Sequence, residues 1–195
     1  LTTKGNRSDP EKNCDLLQEL ADDVRSRLGD WLFAEGRETM EEVVGRELIK
    51  RRLMLAVAES CTGGLIASML TRIPGSSDCF HAGFVTYSNA IKQSVLGVNE
   101  ETLAAHGAVS EEVVREMAEG ALLRSGADYA IAVSGIAGPD GGTAEKPLGT
   151  VWLAWGDRQR LRTRCLCWPV ERTLFQTMIA AGGLDVIRRL LLGVD

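Results

Sequence analysis

The stretch "LMLAVAESCTGGLIASML", residues 53–70, predicts a buried strand, a loop and a helix in direct succession. Residues 53–58 form a short, continuous apolar run, which is typical of a strand covered on both faces of a sheet. After "ESCTGG", apolar side chains recur at helical spacing: Leu65, Ile66, Met69 and Leu70. A strand that passes through a loop of small residues into a helix is the repeating unit of a parallel sheet. The stretch therefore predicts an α/β fold.

The rest of the chain alternates in the same way. Four further strands are predicted over 82–88, 129–135, 150–155 and 160–168. Helices are predicted over 10–28, 38–51, 65–72, 89–96, 99–105, 110–125 and 171–192. The turn "GDRQ" joins the last two strands as an antiparallel pair, so we expect a mostly parallel, five-stranded mixed sheet with an antiparallel edge. Residues 1–50 are interpreted as an N-terminal arm and helical extension, with residues 1–9 disordered, and residues 51–195 as the main domain.

Composition and charge exclude several classes of protein. The chain has 195 residues, of which 45% are hydrophobic and 25% charged, and a net charge of −5. A negative chain offers no bulk basic field to nucleic acid or to an anionic membrane, and no apolar run approaches the about 20 residues that span a bilayer. The five cysteines lack zinc-like spacing, and the N-terminus does not resemble a secretory signal. We therefore expect reduced thiols and a cytoplasmic protein.

Three loops follow the predicted parallel strands, at residues 59–64, 88–92 and 134–147. Ligands of open α/β sheets bind in the loops beyond the carboxyl ends of the strands. In the first loop, Gly63 and Gly64 could open the helix N-terminus to an anion, or they could serve a tight turn that needs positive φ. The third loop is rich in glycine and carries charged side chains. It could recognise a sugar or an amide, or it could be a flexible surface loop.

Histidine is too scarce for common catalytic sites, since His81 and His106 are isolated in the sequence. A multi-histidine metal site is excluded, and little room remains for a Ser-His-Asp triad. We therefore expect no metal and no cofactor. A thiol nucleophile at Cys61 is not favoured either, because nothing near it in the sequence would stabilise a thiolate.

A hydroxyl nucleophile could instead use a desolvated lysine as its base. Lys92 lies just past a predicted strand end, and Tyr87 on the same segment could relay or orient a proton. Ser76 and Ser77 follow "PG" in a tight turn that could present a hydroxyl. The alternative for these residues is structural, because serines in such a sequence commonly form the turn and an isolated lysine is commonly solvated.

Five sequence blocks in the same order resemble a known family. They are "AVAESCTGG", "PGSSDCF", "GFVTYSNAIKQSVLGV", "HGAVSEEVV" and "ADYAIAVSGIAGPDGGTAEKPLGTVW". Over roughly residues 53–160 the chain resembles the C-terminal domain of CinA, the competence/damage-inducible protein, whose enzymatic name is nicotinamide-nucleotide amidase. The resemblance implies a three-layer α/β/α domain. It also implies the metal-free hydrolysis of nicotinamide mononucleotide to nicotinate mononucleotide and ammonia.

The resemblance also implies roles for individual residues. The catalytic serine of the family resembles Ser77, the second serine of "PGSS", with Tyr87 and Lys92 as its partners. The residues expected to bind substrate are Ser60, Thr62, Gly63, Gly64, Ser76, Asn89, Ser134, Gly135, Gly138 and Arg172. Arg172 resembles the arginine of a "GDR" element that would anchor phosphate. The chain departs from the family there, because it reads "VER" and carries Gln176 where a second arginine is usual.

Two other functions remain open at the level of sequence. The chain could be an amidase for a related carboxamide, with the same serine. It could also be a non-catalytic nucleotide-binding or regulatory module, as suggested by the association of the family with DNA uptake. In each case the partner expected is a small-molecule nucleotide, and self-association as a homo-oligomer, most simply a dimer, is expected.

Overall fold

The structure of the protein, a computed structural model, describes residues 10–194, so the disorder predicted for residues 1–9 lies outside the described residues. The chain divides into two compact units, one up to Glu38 and one from Thr39 onward. In the first unit, helix α1 (Pro10–Leu28) is followed by a single 3-10 turn. Arg25 of α1 donates a hydrogen bond of 2.7 Å to Glu35, which ties the segment after this turn back to the helix.

Helix α2 (Met40–Arg51) belongs to the second unit, whereas the predicted boundary lay after residue 50. The apolar stripe of α2 is buried and packs against helix α7 (Arg172–Leu192). The buried residues of this stripe are Val43, Val44 and Leu48. Because burial of the stripe removes apolar surface from water, α2 is part of the core of the second unit. The boundary therefore moves to the start of this helix.

A five-stranded mixed sheet forms the centre of the second unit, in the order β2-β1-β3-β4-β5. The strands are β1 (Leu55–Glu59), β2 (Phe80–Val85), β3 (Tyr129–Gly135), β4 (Thr150–Gly156) and β5 (Leu161–Cys167). β2 and β3 flank β1 in parallel, and β4 and β5 continue the sheet as antiparallel neighbours, as predicted. β2 lies earlier than its predicted range of 82–88, because the end of that range leads into the N-cap of the next helix.

Helices cover both faces of the sheet, so the implied three-layer architecture is confirmed. One face carries α2, α3 (Leu65–Thr71) and α7, and the other carries α4 (Asn89–Leu96), α5 (Glu100–His106) and α6 (Glu111–Ser125). The sequence of β1 explains the difference between the faces: Leu55 and Val57 pack on the first face, whereas Ala56 and Ala58 pack on the second. Among the described residues, no helix combines the length and the apolar character needed to cross a membrane.

Candidate active site

The carboxyl ends of the three parallel strands meet at one edge of the sheet. Glu59, the last residue of β1, pairs in register with Val85 of β2 and with Val133 of β3. A cavity of about 230 Å³ lies at this edge, among residues that follow the three strands. The predicted site residues that line the cavity are Ser60, Tyr87, Asn89, Lys92, Ser134, Gly135 and Arg172. These predicted residues therefore lie together at the carboxyl ends of the parallel strands.

Lys92 is the buried cation of this cavity. Helix α4 begins after Ser88, whose side chain accepts a hydrogen bond from the Ile91 amide and so fixes the first turn. Lys92, in this turn, is 1% exposed. Its ammonium nitrogen Nζ lies 2.9 Å from the carbonyl oxygen of Thr86, to which it donates. Burial lowers the pKa of Lys92 below its usual value.

The hydroxyl of Ser60 is the side-chain partner of Lys92. Nζ of Lys92 lies 3.1 Å from Oγ of Ser60, a hydrogen-bonding distance. The Ser60 amide donates to the carbonyl of Val133 at 3.0 Å, which holds the residue at the end of β1 against β3. Within the described part of the chain, no carboxylate forms an ion pair with Lys92. The pair thus resembles the arrangement in which an uncharged lysine activates a serine.

Glu59 organises the turn that follows Ser60, a role that was not predicted from the sequence. Its side chain is completely buried. It accepts four hydrogen bonds, from the Thr62 hydroxyl at 2.6 Å and from the amides of Gly64, Ile66 and Ala67 at 3.0, 3.1 and 2.8 Å. The first donors of α3 are therefore used within the protein. Neither the turn nor the start of α3 offers these amides to an anionic ligand.

Thr62, Gly63 and Gly64, expected to bind substrate, do not line the cavity. The Thr62 hydroxyl is bonded to Glu59. Gly63 and Gly64 have φ angles of +64° and +99°, in the left-handed region that favours glycine. Of the two interpretations of these glycines, the structure supports the tight turn.

Ser77, the expected nucleophile, does not meet Lys92 within this chain. It is exposed and lies in a 3-10 turn, Ser76–Asp78, that directly precedes β2. Lys92 lies beyond the other end of β2, and a six-residue strand spans about 20 Å. Ser76 is placed in the same turn and does not line the cavity either. The topological signal that favours Ser60 was available in the sequence, since Ser60 directly follows the carboxyl end of a parallel strand.

Arg172 links the two sides of the cavity mouth. Its guanidinium donates to the carbonyl of Gly138 at 2.7 Å and to the phenol oxygen of Tyr87 at 2.9 Å. Glu171, which departs from the family pattern, caps α7 by accepting hydrogen bonds from the amides of Thr173 and Leu174. The departure therefore preserves the start of α7 and leaves Arg172 in the cavity wall.

The remaining predicted residues shape the cavity in different ways. The Ser134 hydroxyl donates to the Ala108 carbonyl at 2.7 Å, so it fixes the opposite wall. Asn89 and Gly135 line the cavity, and a Cβ atom at Gly135 would lie 2.9 Å from the carbonyl oxygen of Thr150. Gly138 contributes its carbonyl to Arg172 and is not itself a wall residue.

The other reactive groups do not compete with Ser60. Burial raises the pKa of the Cys61 thiol to about 12, so the thiolate is not favoured. Across residues 10–194 no cluster of His, Cys, Asp or Glu could hold a metal ion.

Two larger clefts, of about 400 and 500 Å³, share Asp157, Arg158 and Gln159 of the turn between β4 and β5. Neither cleft is lined by Ser, Thr, Cys, His or Lys, whereas the smaller cavity is lined by Ser60, Cys61 and Lys92.

Curated relatives align with most of the chain. A CinA-like protein of Colwellia psychrerythraea is 52% identical over 165 residues, which cover 83% of this chain and 38% of the relative. A CinA-like protein of Thermotoga maritima is 44% identical over 182 residues, which cover 93% of this chain and 44% of the relative. The chain thus spans less than half the length of these relatives.

A solved structure also covers most of the chain. The competence-damaged protein (CinA) superfamily protein of Klebsiella pneumoniae superposes with a TM-score of 0.76 at 38% identity, over 80% of this chain and 99% of that one. The family model described as the CinA C-terminal domain matches residues 37–191, a range that begins close to the start of the second unit. The chain therefore belongs to the CinA C-terminal domain family.

Proposed function

We propose that the protein is an amidohydrolase with Ser60 as its nucleophile and Lys92 as its general base. The observation that carries the proposal is the distance of 3.1 Å between Nζ of Lys92 and Oγ of Ser60 in the wall of a cavity. Burial lowers the pKa of Lys92, which favours the uncharged amine that a general base requires. A serine at the carboxyl end of a parallel strand is also well placed to meet a ligand.

The reaction proceeds through an acyl-enzyme. Oγ of Ser60 attacks the amide carbon while Lys92 takes the hydroxyl proton. The tetrahedral intermediate then collapses, the carbon–nitrogen bond breaks, and the proton on Lys92 passes to the leaving ammonia. In the second half, water attacks the ester and gives its proton to Lys92. The bond to Oγ breaks, the proton returns to Ser60, and a carboxylic acid is released.

Backbone amides next to the nucleophile can stabilise the oxyanion of the tetrahedral intermediate. The amides of Cys61 and Thr62 are directed at the Cys61 thiol, whereas the amides of Gly64, Ile66 and Ala67 bond to Glu59. A neutral thiol is a weak acceptor, so an amide directly beyond a nucleophilic serine remains suited to a developing negative charge. We assign the oxyanion site to the amide of Cys61, because Cys61 lines the cavity and Thr62 does not.

Nicotinamide mononucleotide is the substrate that we propose, on the resemblance to the amidase family. Arg172 in the cavity wall supplies a permanent positive charge for the phosphate. The start of α3 does not serve this purpose, because Glu59 uses its amides.

Ammonia release from nicotinamide mononucleotide tests the proposal in four proteins: the unaltered chain, Ser60→Ala, Lys92→Met and Ser77→Ala. We expect the first and the last to release ammonia and the other two to release none. Ser77→Ala is the matched control, because it removes a hydroxyl at the opposite edge of the sheet. Activity in Ser60→Ala together with loss in Ser77→Ala would overturn the assignment.

The same assay separates the alternatives. Release of ammonia from another carboxamide, but not from nicotinamide mononucleotide, would retain the amidase and replace its substrate. A rise in melting temperature with nicotinamide mononucleotide, without consumption of any amide, would favour a binding module.

A further inference from the structure

Glu59 is the completely buried carboxylate next to the proposed nucleophile, and the reaction does not use it. All four of its hydrogen-bond donors lie within the eight residues that follow it, so it acts on the turn and on the start of α3 alone. Its partners do not include Ser60 or Lys92. It therefore lies outside the path of the transferred proton.

The capping of α3 alone does not account for a buried carboxylate. Hydroxyl side chains cap three other helices of the same unit, with Thr39 at α2, Ser88 at α4 and Ser110 at α6. α3 has only seven residues, and a short helix draws its stability mainly from packing. Taking a carboxylate out of water is costly unless its hydrogen bonds are satisfied. The four bonds compensate for that cost, and they also fix the conformation of residues 60–64.

The turn is held from several directions, and Glu59 supplies most of the contacts. The Ser60 amide is bonded to β3, and the side chain of Gln176 on α7 donates to the Cys61 carbonyl at 2.8 Å. Between these anchors the path of the turn depends on the bonds to Glu59. The path decides where Oγ of Ser60 lies relative to Lys92, and it places Cys61 in the cavity wall.

We propose that Glu59 is a positioning residue that holds Ser60 and the amide of Cys61 in their reactive geometry. The proposal rests on Ser60 being the nucleophile. By using the amides of Gly64, Ile66 and Ala67, Glu59 also keeps the negative end of a substrate away from the start of α3. An anionic substrate group is thereby directed to Arg172. Loss of Glu59 should slow the chemical step while the substrate still binds.

A fluorophosphonate probe measures this directly, without assuming a substrate. The bond between Oγ of Ser60 and phosphorus forms, the phosphorus–fluorine bond breaks, fluoride leaves and the proton passes to Lys92. The labelling rate is compared in the unaltered chain, in Glu59→Gln and in Glu42→Gln, a control that alters the exposed carboxylate of the capping box on α2. Mass spectrometry identifies the labelled residue, and thermal melting verifies the fold.

We expect Glu59→Gln to be labelled about tenfold more slowly or worse, since small misplacements of a reacting group carry losses of this size. Glu42→Gln should be labelled at the rate of the unaltered chain. With nicotinamide mononucleotide, Glu59→Gln should lower kcat about tenfold and change KM less than about threefold. A folded Glu59→Gln labelled at the unaltered rate would overturn the proposal.

A second pair of variants applies if Glu59→Gln does not fold. Thr62→Val removes one of the four bonds to Glu59, and Thr62→Ser retains it. Slower labelling in Thr62→Val, with recovery in Thr62→Ser, supports the proposal, and equal rates in the two variants overturn it. The failure of the proposed function is a separate result: an unaltered chain with no label on Ser60 would refute the nucleophile itself. Labelling of Ser60 without consumption of nicotinamide mononucleotide would refute only the substrate.

Discussion

The phenol oxygen of Tyr87 lies 2.9 Å from a guanidinium nitrogen of Arg172, a contact that joins two residues 85 positions apart. Tyr87 follows β2 and Arg172 begins α7, so the contact connects opposite helical layers at the cavity mouth. A second guanidinium nitrogen donates to Gly138. A phosphate bound here would meet a guanidinium that is already oriented, which limits the conformational entropy lost on binding.

Replacement of Arg172 by lysine should weaken the binding of a phosphorylated substrate. Lysine keeps the charge but loses the planar group that bonds Tyr87 and Gly138 together. We expect KM for nicotinamide mononucleotide to rise about tenfold, with kcat changed less than about threefold. The control is nicotinamide riboside, which lacks the phosphate and whose kcat/KM should change little. An equal loss for both substrates would contradict a phosphate contact.

The activity should depend on pH through Lys92. Burial lowers the pKa of Lys92 below its usual 10.5, and the general base acts in its uncharged form. The value of kcat/KM should therefore rise with pH and level off below pH 10.5. A pH–rate profile measures this, with thermal melting at each pH to exclude unfolding. A rise centred at or above 10.5 would contradict a desolvated base.

Replacement of Lys92 by methionine should stabilise the fold while abolishing activity. The pKa of Lys92 is lower in the folded chain than in the unfolded one, so the unfolded state binds more protons between the lowered value and 10.5. In that window the stability of the unaltered chain rises with pH, and below it the full cost of burying the ammonium remains. At pH 7 we expect Lys92→Met to raise the free energy of unfolding on the order of 1 kcal/mol.

Urea denaturation measures this difference between Lys92→Met and the unaltered chain. The difference should decrease as the pH approaches 10.5, since the unaltered chain then buries an uncharged amine. Ser60→Ala serves as the comparison for an inactive protein that retains the lysine. A difference that does not depend on pH would contradict the charge-based explanation.

Two glycines inside helices should respond in opposite ways to alanine. A Cβ atom at Gly120 of α6 would overlap the backbone carbonyl of Leu96 at the end of α4, whereas one at Gly182 of α7 would meet nothing within 4 Å. We expect Gly182→Ala to stabilise the protein by about 0.5–1 kcal/mol, and Gly120→Ala to destabilise it by about 1–3 kcal/mol. Because α4 carries Lys92, Gly120→Ala should also lower kcat.

Urea denaturation of both glycine variants, with ammonia release at a temperature where each is folded, checks this. Equal stabilisation by the two substitutions would contradict the prediction, because α4 and α6 would then be able to move apart without lowering the free energy of unfolding.

The fold was predictable because its signals are local. The apolar run at 53–58, the small-residue loop after it and the helix at 65–72 need only neighbouring residues to be recognised. The limits of β2 were less accurate, since the polar end of its predicted range could equally form a strand or a helix start. Helix α2 was assigned to the extension, because sequence alone does not show which apolar stripe is buried by a distant helix such as α7.

The site was predictable where topology decides it. Lys92, Tyr87 and Ser134 were expected near strand ends and line one cavity, together with Arg172, which the resemblance had indicated. The choice of Ser77 over Ser60 came from the resemblance, and the length of β2 places the two serines at opposite edges. The contribution of Glu59 could not be predicted, because three of its partners are backbone amides, which every residue except proline possesses.

The alanine face of the sheet has a consequence for how the site can vary. Ala56, Ala58, Ala130, Ala132 and Ala154 give α6 a shallow surface, and α4 rests on α6. The position of Lys92 relative to the sheet thus depends on how closely α6 and α4 pack on these alanines. A single added methyl group on this face would move the two helices away from the sheet. The opposite face, with its branched side chains, can exchange one shape for another of equal volume. Substitutions should therefore be tolerated mainly on that face. The alanine face, in contrast, must keep α6 and α4, and with them Lys92, at a fixed distance from the sheet.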